Sequence, residues 1–263
     1  MPLLTLKDQG QLHYETLGAG PSLLLVAGLG GVASFWQPHL APLAERFTVV
    51  LHDHRGTGRS SIQRIDYSVG QMAGDLLQLM DHLGLERAHL MGHSTGGAIG
   101  QTLALDHPAR IDRLVLSGTW AGTDAYFQTL FDVRADILRR LGPAAYLRAS
   151  TLFLMPPFWH GHGTESEPGD AEAARQIADP EVVLRRIAAI QRFDRRAEVH
   201  RIAAPTLVIG ARDDVVTPVH LSEELGRLIP DATTIILPRG GHLFPQIAES
   251  AFRSAVMDFL NDV

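Results

Sequence analysis

The sequence predicts an α/β protein: a mostly parallel, eight-stranded sheet flanked by helices, with a helical insertion ahead of its last two strands. Three observations predict it. Short apolar runs alternate with longer stretches of helical spacing along most of the chain. The run Leu23–Ala27 is apolar at every position, as a strand covered on both faces requires. The rhythm then stops between Trp120 and Ala203, where no convincing strand occurs and the pattern is helical.

In order, Leu3–Leu6 and Gln11–Glu15 read as two edge strands joined by a turn at Asp8-Gln9-Gly10. The strand Leu23–Ala27 follows, then a glycine-rich loop, Gly28-Leu29-Gly30-Gly31, and a helix over Trp36–Arg46. Phe47–His52 is the next strand, ending in the turn-rich Asp53–Ser60. Val69–Leu83 places Met72, Leu76, Leu79, Met80 and Leu83 on one helical face. Ala88–Met91 is a strand, Gly97–Asp106 a helix that stops before Pro108, and Arg113–Ser117 a strand. After the insertion come strand Thr206–Gly210, helix Val219–Leu228, strand Thr234–Leu237 and helix Gln246–Leu260. The expected organisation is a core of residues 1–119 and 204–263 with a helical cap at 120–203. Pro143, Pro156, Pro157, Pro168 and Pro180 divide the cap, and His160–Gly169 reads as a mobile loop within it.

A chain of 263 residues can bury a large core. Its net charge of -6 argues against a nucleic-acid partner and offers no basic face to an anionic membrane. It has no cysteine, which excludes disulfides, thiolate metal sites and a cysteine nucleophile. The first residues lack the basic and apolar regions of a secretory signal, and the apolar run Leu23–Ala33 is too short to span a bilayer. These features predict a cytoplasmic protein, monomer or homodimer, acting on a small molecule.

The chemistry centres on Gly92-His93-Ser94-Thr95-Gly96, a G-x-S-x-G placed where a strand hands over to a helix. Such a turn strains the serine backbone and lifts its hydroxyl above the sheet. A side chain at Gly92 or Gly96 would collide with its neighbours. Serine attacks at neutral pH only with a base and a group that orients the base. Both have candidates on loops after later strands. His242 follows Gly240-Gly241 and is the expected base. Asp213 and Asp214 precede Thr217-Pro218; counting back favours Asp214 as the acid and leaves Asp213 as a solvated carboxylate. Two N–H donors are needed for the oxyanion, and the backbone of Thr95 and of Leu29 supplies the candidates.

Other motifs carry less. The Gly56-x-Gly58 loop lacks the Lys-Ser/Thr of a phosphate-binding loop and reads as structural. His52-x-His54 and His160-x-His162 have no further ligands at metal-site spacing, so neither metal nor cofactor is expected. In the cap, Trp120, Phe127, Phe131, Phe158 and Trp159 are the expected apolar lining of a small-ligand pocket. Packing between cap and core is the alternative for each. Of the cap arginines (175, 185, 186, 192, 195 and 196), one would meet a substrate carboxylate and most would face water beside Asp and Glu.

Ser94, Asp214 and His242, with Gly28-Leu29-Gly30 and Asp53-x-Arg55-Gly56-x-Gly58-x-Ser60, resemble the α/β-hydrolase superfamily over nearly the whole chain. Within it the chain most resembles the pyrimidine-utilisation D family of aminoacrylate or carbamate hydrolases. The shared pattern includes Phe35-Trp36, Asp66-Tyr67-Ser68, Gln71-Met72-Ala73 and Leu152-Phe153-Leu154-x-Pro156-x-x-Trp159. Next is a similarity to the 3-oxoadipate enol-lactonases. The chain departs from many relatives in having Ala27-Gly28 in place of His-Gly, which leaves the backbone donor intact. The resemblance implies an aminoacrylate- or carbamate-type C–N hydrolase without cofactor. An ester or lactone hydrolase is the alternative enzyme, and a ligand receptor with vestigial turnover the alternative of another class.

Overall fold

The computed structural model describes residues 2–162 and 177–261. Eight strands form one sheet in the order β1-β2-β4-β3-β5-β6-β7-β8. They are β1 (Leu3–Thr5), β2 (Gln11–Leu17), β3 (Ser22–Val26), β4 (Thr48–His52), β5 (Ala88–His93), β6 (Ile111–Ser117), β7 (Thr206–Ala211) and β8 (Thr233–Leu237). Pairing from β4 through β8 is parallel, and β1-β2 and β2-β4 are antiparallel. The sequence reading of two edge strands holds for β1 alone. β2 lies inside the order because it pairs with β4 through Tyr14–Leu17 as well as with β1.

The apolar strands alternate their side chains between two cores, as the two-residue period requires. Leu24, Val26, Leu90, Leu114 and Leu116 point to one face. Leu23, Leu25, Met91, Val115 and Leu207 point to the other. The first face is covered by α2 (Val69–His82), α3 (Thr95–Asp106) and the helices of the insertion. The second is covered by α1 (Gln37–Ala44) and the C-terminal helices. Ser68 caps α2 by accepting the Gln71 N–H at 3.0 Å. α3 is buried from Thr95 to Leu105. Gly100 lets it lie on the sheet, where a Cβ would meet the Leu90 side chain at 2.7 Å.

One predicted helix is trimmed at its ends and another is broken. A short 3-10 turn at Ala33–Trp36 precedes α1. The predicted Gln246–Leu260 is two helices, α7 (Phe244–Ile247) and α8 (Glu249–Asn261), because Ala248 leaves helical geometry between them. α6 (Val219–Leu228) has its predicted bounds.

Between β6 and β7 the described residues form α4 (Ala125–Leu154) and α5 (Pro180–Gln191), with a single bridge, Gly122 to Asp194. Asp124 caps α4 through the Phe127 N–H at 2.8 Å, and Asp179 caps α5. Gly142, at φ 80, kinks α4 where Pro143 follows. The predicted mobile loop lies largely outside the described residues, as does Arg175. No described helix is long and apolar enough to cross a membrane.

Candidate active site

β5 ends at His93, α3 begins at Thr95, and Ser94 between them takes φ 55 and ψ -118. A non-glycine residue pays for positive φ, so the surroundings must hold it there. Its N–H donates to Ser117 O at 2.8 Å, and its carbonyl accepts Thr119 Oγ1 at 2.8 Å and Gly97 N at 2.9 Å. A Cβ on Gly92 would overlap the Gly96 backbone, and one on Gly96 the Val26 carbonyl. Both glycines are therefore steric requirements of the turn. Thr95 is the first residue of α3, so its N–H is among those with no partner inside the helix.

The loop after β7 carries Asp214, which is 4% exposed. It accepts from Val216 N and Thr217 Oγ1 at 2.8 Å and from Thr217 N at 2.9 Å. Its fourth partner is His242 Nδ1, at 2.8 Å from Oδ2. The loop after β8 brings His242 there and buries it to the same extent. Asp213 takes a different part. The sequence left it as a solvated carboxylate, but it accepts Gly240 N at 3.1 Å and Gly241 N at 2.9 Å. It thereby fixes the turn that carries His242. The end of α4 holds the same turn from the other side: Leu154 O accepts the N–H groups of His242 and Leu243 at 2.9 and 3.1 Å.

The loop after β3 passes over Ser94. Gly28 lies so close that a Cβ would sit 3.1 Å from Ser94 Cβ and 3.6 Å from Ser94 Oγ. Gly31 N donates to Gly28 O at 2.9 Å, closing a turn with Leu29 and Gly30 at its centre, and Gly31 has φ 67. Gly30 has open space around it, so its lack of a side chain answers to no neighbour within 4 Å.

Sequence reasoning passed over His93 as the variable residue of the motif. It is buried, stacks on Phe35 at 4.9 Å and packs its ring 4.8 Å from that of His242. Its Nδ1 lies 3.0 Å from Ser117 Oγ. Burial, then the adjacent His242, holds its pKa well below the usual histidine value. His93 is thus a neutral floor under His242. Thr217, used in the sequence only as a landmark, touches both Asp214 and His242, the latter at 3.3 Å.

The expected pocket aromatics separate into two groups. Trp120, Phe127 and Phe131 are buried and pack in a row with tilted rings, their centres 4.6 and 4.5 Å apart. Phe158 is half exposed beneath Arg239, and with Trp159 it lines a groove of about 640 Å³ against Arg239 and α8. His52 and His54 stack with ring centres 4.9 Å apart, and no metal-ligand cluster occurs among the described residues. The Asp53–Ser60 loop is structural. Asp53 accepts Ala33 N and Arg59 N, and buried Arg55 pairs with Asp75.

Residues 21–245 match the family model of the alpha/beta hydrolase fold. The chain is 41% identical to RutD of Caulobacter sp. (strain K31), by its name a proposed carbamate hydrolase, over 95% of this chain and 96% of that protein. Among solved structures it is similar to a hydrolase from Pseudomonas aeruginosa PA01, at TM-score 0.89 and 32% identity, covering 98% of this chain and 97% of that one. It is also similar to the enol-lactonase of Burkholderia xenovorans LB400, at TM-score 0.88 and 29% identity, covering 99% and 100%. The fold, the strained serine turn and these matches together place the chain in the α/β-hydrolase family.

Proposed function

We propose that the protein is a serine hydrolase that cleaves a small carbonyl compound, with a carbamate- or aminoacrylate-type C–N bond as the leading substrate class. One observation carries the mechanism: the 2.8 Å hydrogen bond from His242 Nδ1 to a buried, four-donor Asp214, on loops that flank the strained Ser94 turn. With Nδ1–H given to Asp214, His242 Nε2 keeps a lone pair and takes the Ser94 proton as Oγ attacks the carbonyl carbon. The resulting oxyanion is held by the N–H groups of Leu29 and Thr95. Collapse breaks the bond to the leaving group, which takes the proton back from His242. Water then attacks the acyl-enzyme by the same route and frees Ser94. No step needs a cofactor.

The insertion, residues 120–203, serves as a cap on the core formed by 1–119 and 204–263. Trp120, Phe127 and Phe131 give it an apolar body, and Phe158 and Trp159 its rim. Support for C–N chemistry is the likeness to RutD along 95% of the chain. The likeness to an enol-lactonase supports a second reading, an ester or lactone hydrolase. The intermediate is common to both, so Ser94 does not separate them. The test is a panel of carbamates, amides, esters and lactones assayed with parent and Ser94→Ala. Ser94→Ala should fold and lose at least about 10³-fold in turnover. Equal hydrolysis of p-nitrophenyl acetate by Ser94→Ala would sink the nucleophile assignment.

A further inference from the structure

Arg186, on α5 of the insertion, is 1% exposed and reaches into the loops beside Ser94. Its Nη2 donates to Leu29 O at 2.9 Å and contacts His54 Nδ1 at 3.0 Å, and its Nη1 donates to Arg55 O at 3.0 Å. A Cβ on Gly31 would meet Nη2 at 2.9 Å. The guanidinium also faces the Tyr67 ring, 5.8 Å from its centre. Among the described residues no carboxylate ion-pairs with it. Asp75, the one that reaches it electrostatically, is bound to Arg55. Arg134, also buried in the insertion, bonds to the Tyr146 and Ser150 hydroxyls within its own helix, whereas four others have carboxylate partners. Arg185 pairs with Glu181, Arg192 with Asp66, Arg195 with Asp106 and Glu198, and Arg196 with Glu224 and Asp194.

A buried guanidinium without a counterion is costly, so its hydrogen bonds must do something an apolar residue would not. Leu29 O belongs to the central peptide of the Gly28–Gly31 turn. That peptide carries the Gly30 N–H and adjoins the Gly28–Leu29 peptide, whose carbonyl accepts Gly31 N; holding both oxygens fixes two successive peptide planes, and with them the direction of the Leu29 N–H. The Arg55 carbonyl anchors the same side chain to the loop after β4, and the rigid fork of the guanidinium serves both at once. We propose that Arg186 is a positioning residue for hydrolysis: it clamps the oxyanion loop from the insertion, so that attack competence depends on α5 being seated. This rests on the reading of the Leu29 N–H as an oxyanion donor.

The test compares Arg186→Met, which keeps the stem and removes donors and charge, with Arg186→Lys, which keeps charge without the fork. Arg195→Met, which breaks the ion pair to Asp106, is the control for general destabilisation of the insertion. The readouts are kcat and KM on p-nitrophenyl acetate well below each Tm, with Ser94→Ala as background. Losing a donor that stabilises only the transition state lowers kcat and leaves KM. Arg186→Met should lose about 10- to 100-fold in kcat, with KM within about twofold, and Arg186→Lys should recover part of the loss. The proposal is overturned if Arg186→Met keeps kcat, loses no more than Arg195→Met, or raises KM alone. If Arg186→Met does not fold, Arg186→Lys decides on the same criterion. If parent turnover survives Ser94→Ala, the hydrolase reading fails and takes this one with it; if Ser94 is required and Arg186 is not, only the clamp fails.

Discussion

Two adjacent carboxylates, Asp213 and Asp214, point to different partners and predict different losses. Asp214 faces His242 Nδ1, so Asp214→Asn keeps the shape but presents a donor or a weaker acceptor to the imidazole. Its kcat should fall about 10³- to 10⁴-fold with little change in Tm. Asp213 holds the backbone of Gly240 and Gly241. Asp213→Ala should lower Tm and cost far less in kcat, whereas Asp213→Asn, which keeps an acceptor, should fall between it and the parent. Steady-state kinetics and thermal melts on the three variants check this; the reverse ranking would exchange the two roles. Asp214 as the partner of His242 was legible because Thr217-Pro218 fixed the count along the chain. Asp213's role was not, because its partners lie 27 and 28 residues away and meet it only through the β7-β8 pairing.

Among the elements, the Asp53–Ser60 loop and α2 are joined by a buried ion pair. Arg55 Nη2 and Nε meet both Asp75 oxygens at 2.6 and 3.1 Å. Gln71 adds an amide donor to the same carboxylate at 2.5 Å. Burial raises the Asp75 pKa, and the Arg55 hydrogen bonds oppose that shift. Removing one partner of a buried pair strands the other, so Asp75→Ala should destabilise the fold by about 3 kcal/mol. Urea unfolding would measure it, and a loss below about 1 kcal/mol would mean that Asp8, which also pairs with Arg55, suffices. Asp75 interrupts the apolar face of α2, and nothing local explains it. Its reason is an arginine 20 residues earlier in the chain. Element types were legible from periodicity. The break at Ala248 was not, since a helix and a helix with one irregular residue have nearly the same apolar spacing.

For the whole molecule, buried neutral histidines set the acid limit of stability. Burial is the leading cause in each case: His52 is pushed down to about 4, and His54 and His93 well below the ordinary value of 6.5. The unfolded chain takes up these protons below about pH 6.5 and the folded chain does not. Stability is therefore full above that pH and falls as the pH drops towards the folded values. His52 alone would contribute a loss of about 3 kcal/mol by pH 4. Urea midpoints should fall between pH 7.5 and 4.5 in the parent, and less steeply in His52→Asn. An equal slope in the two proteins would remove His52 from the account.

The sequence by itself determined the fold class and the strained Ser94 turn. Both follow from local rules: a two-residue period, a helical period, and glycines that a strained serine needs within two residues on either side. It also placed Asp214 and His242, the proposed acid and base, on loops after successive strands, because strand order confines them there. Only the tertiary structure decided which side chains hold those groups. Asp213 under the His242 turn, His93 beside the imidazole, Leu154 at the end of α4 and Arg186 on the Leu29 loop all act across distances the chain does not encode locally. Burying an arginine such as Arg186 is unfavourable at any position read alone, and only the carbonyls folded around it give it partners.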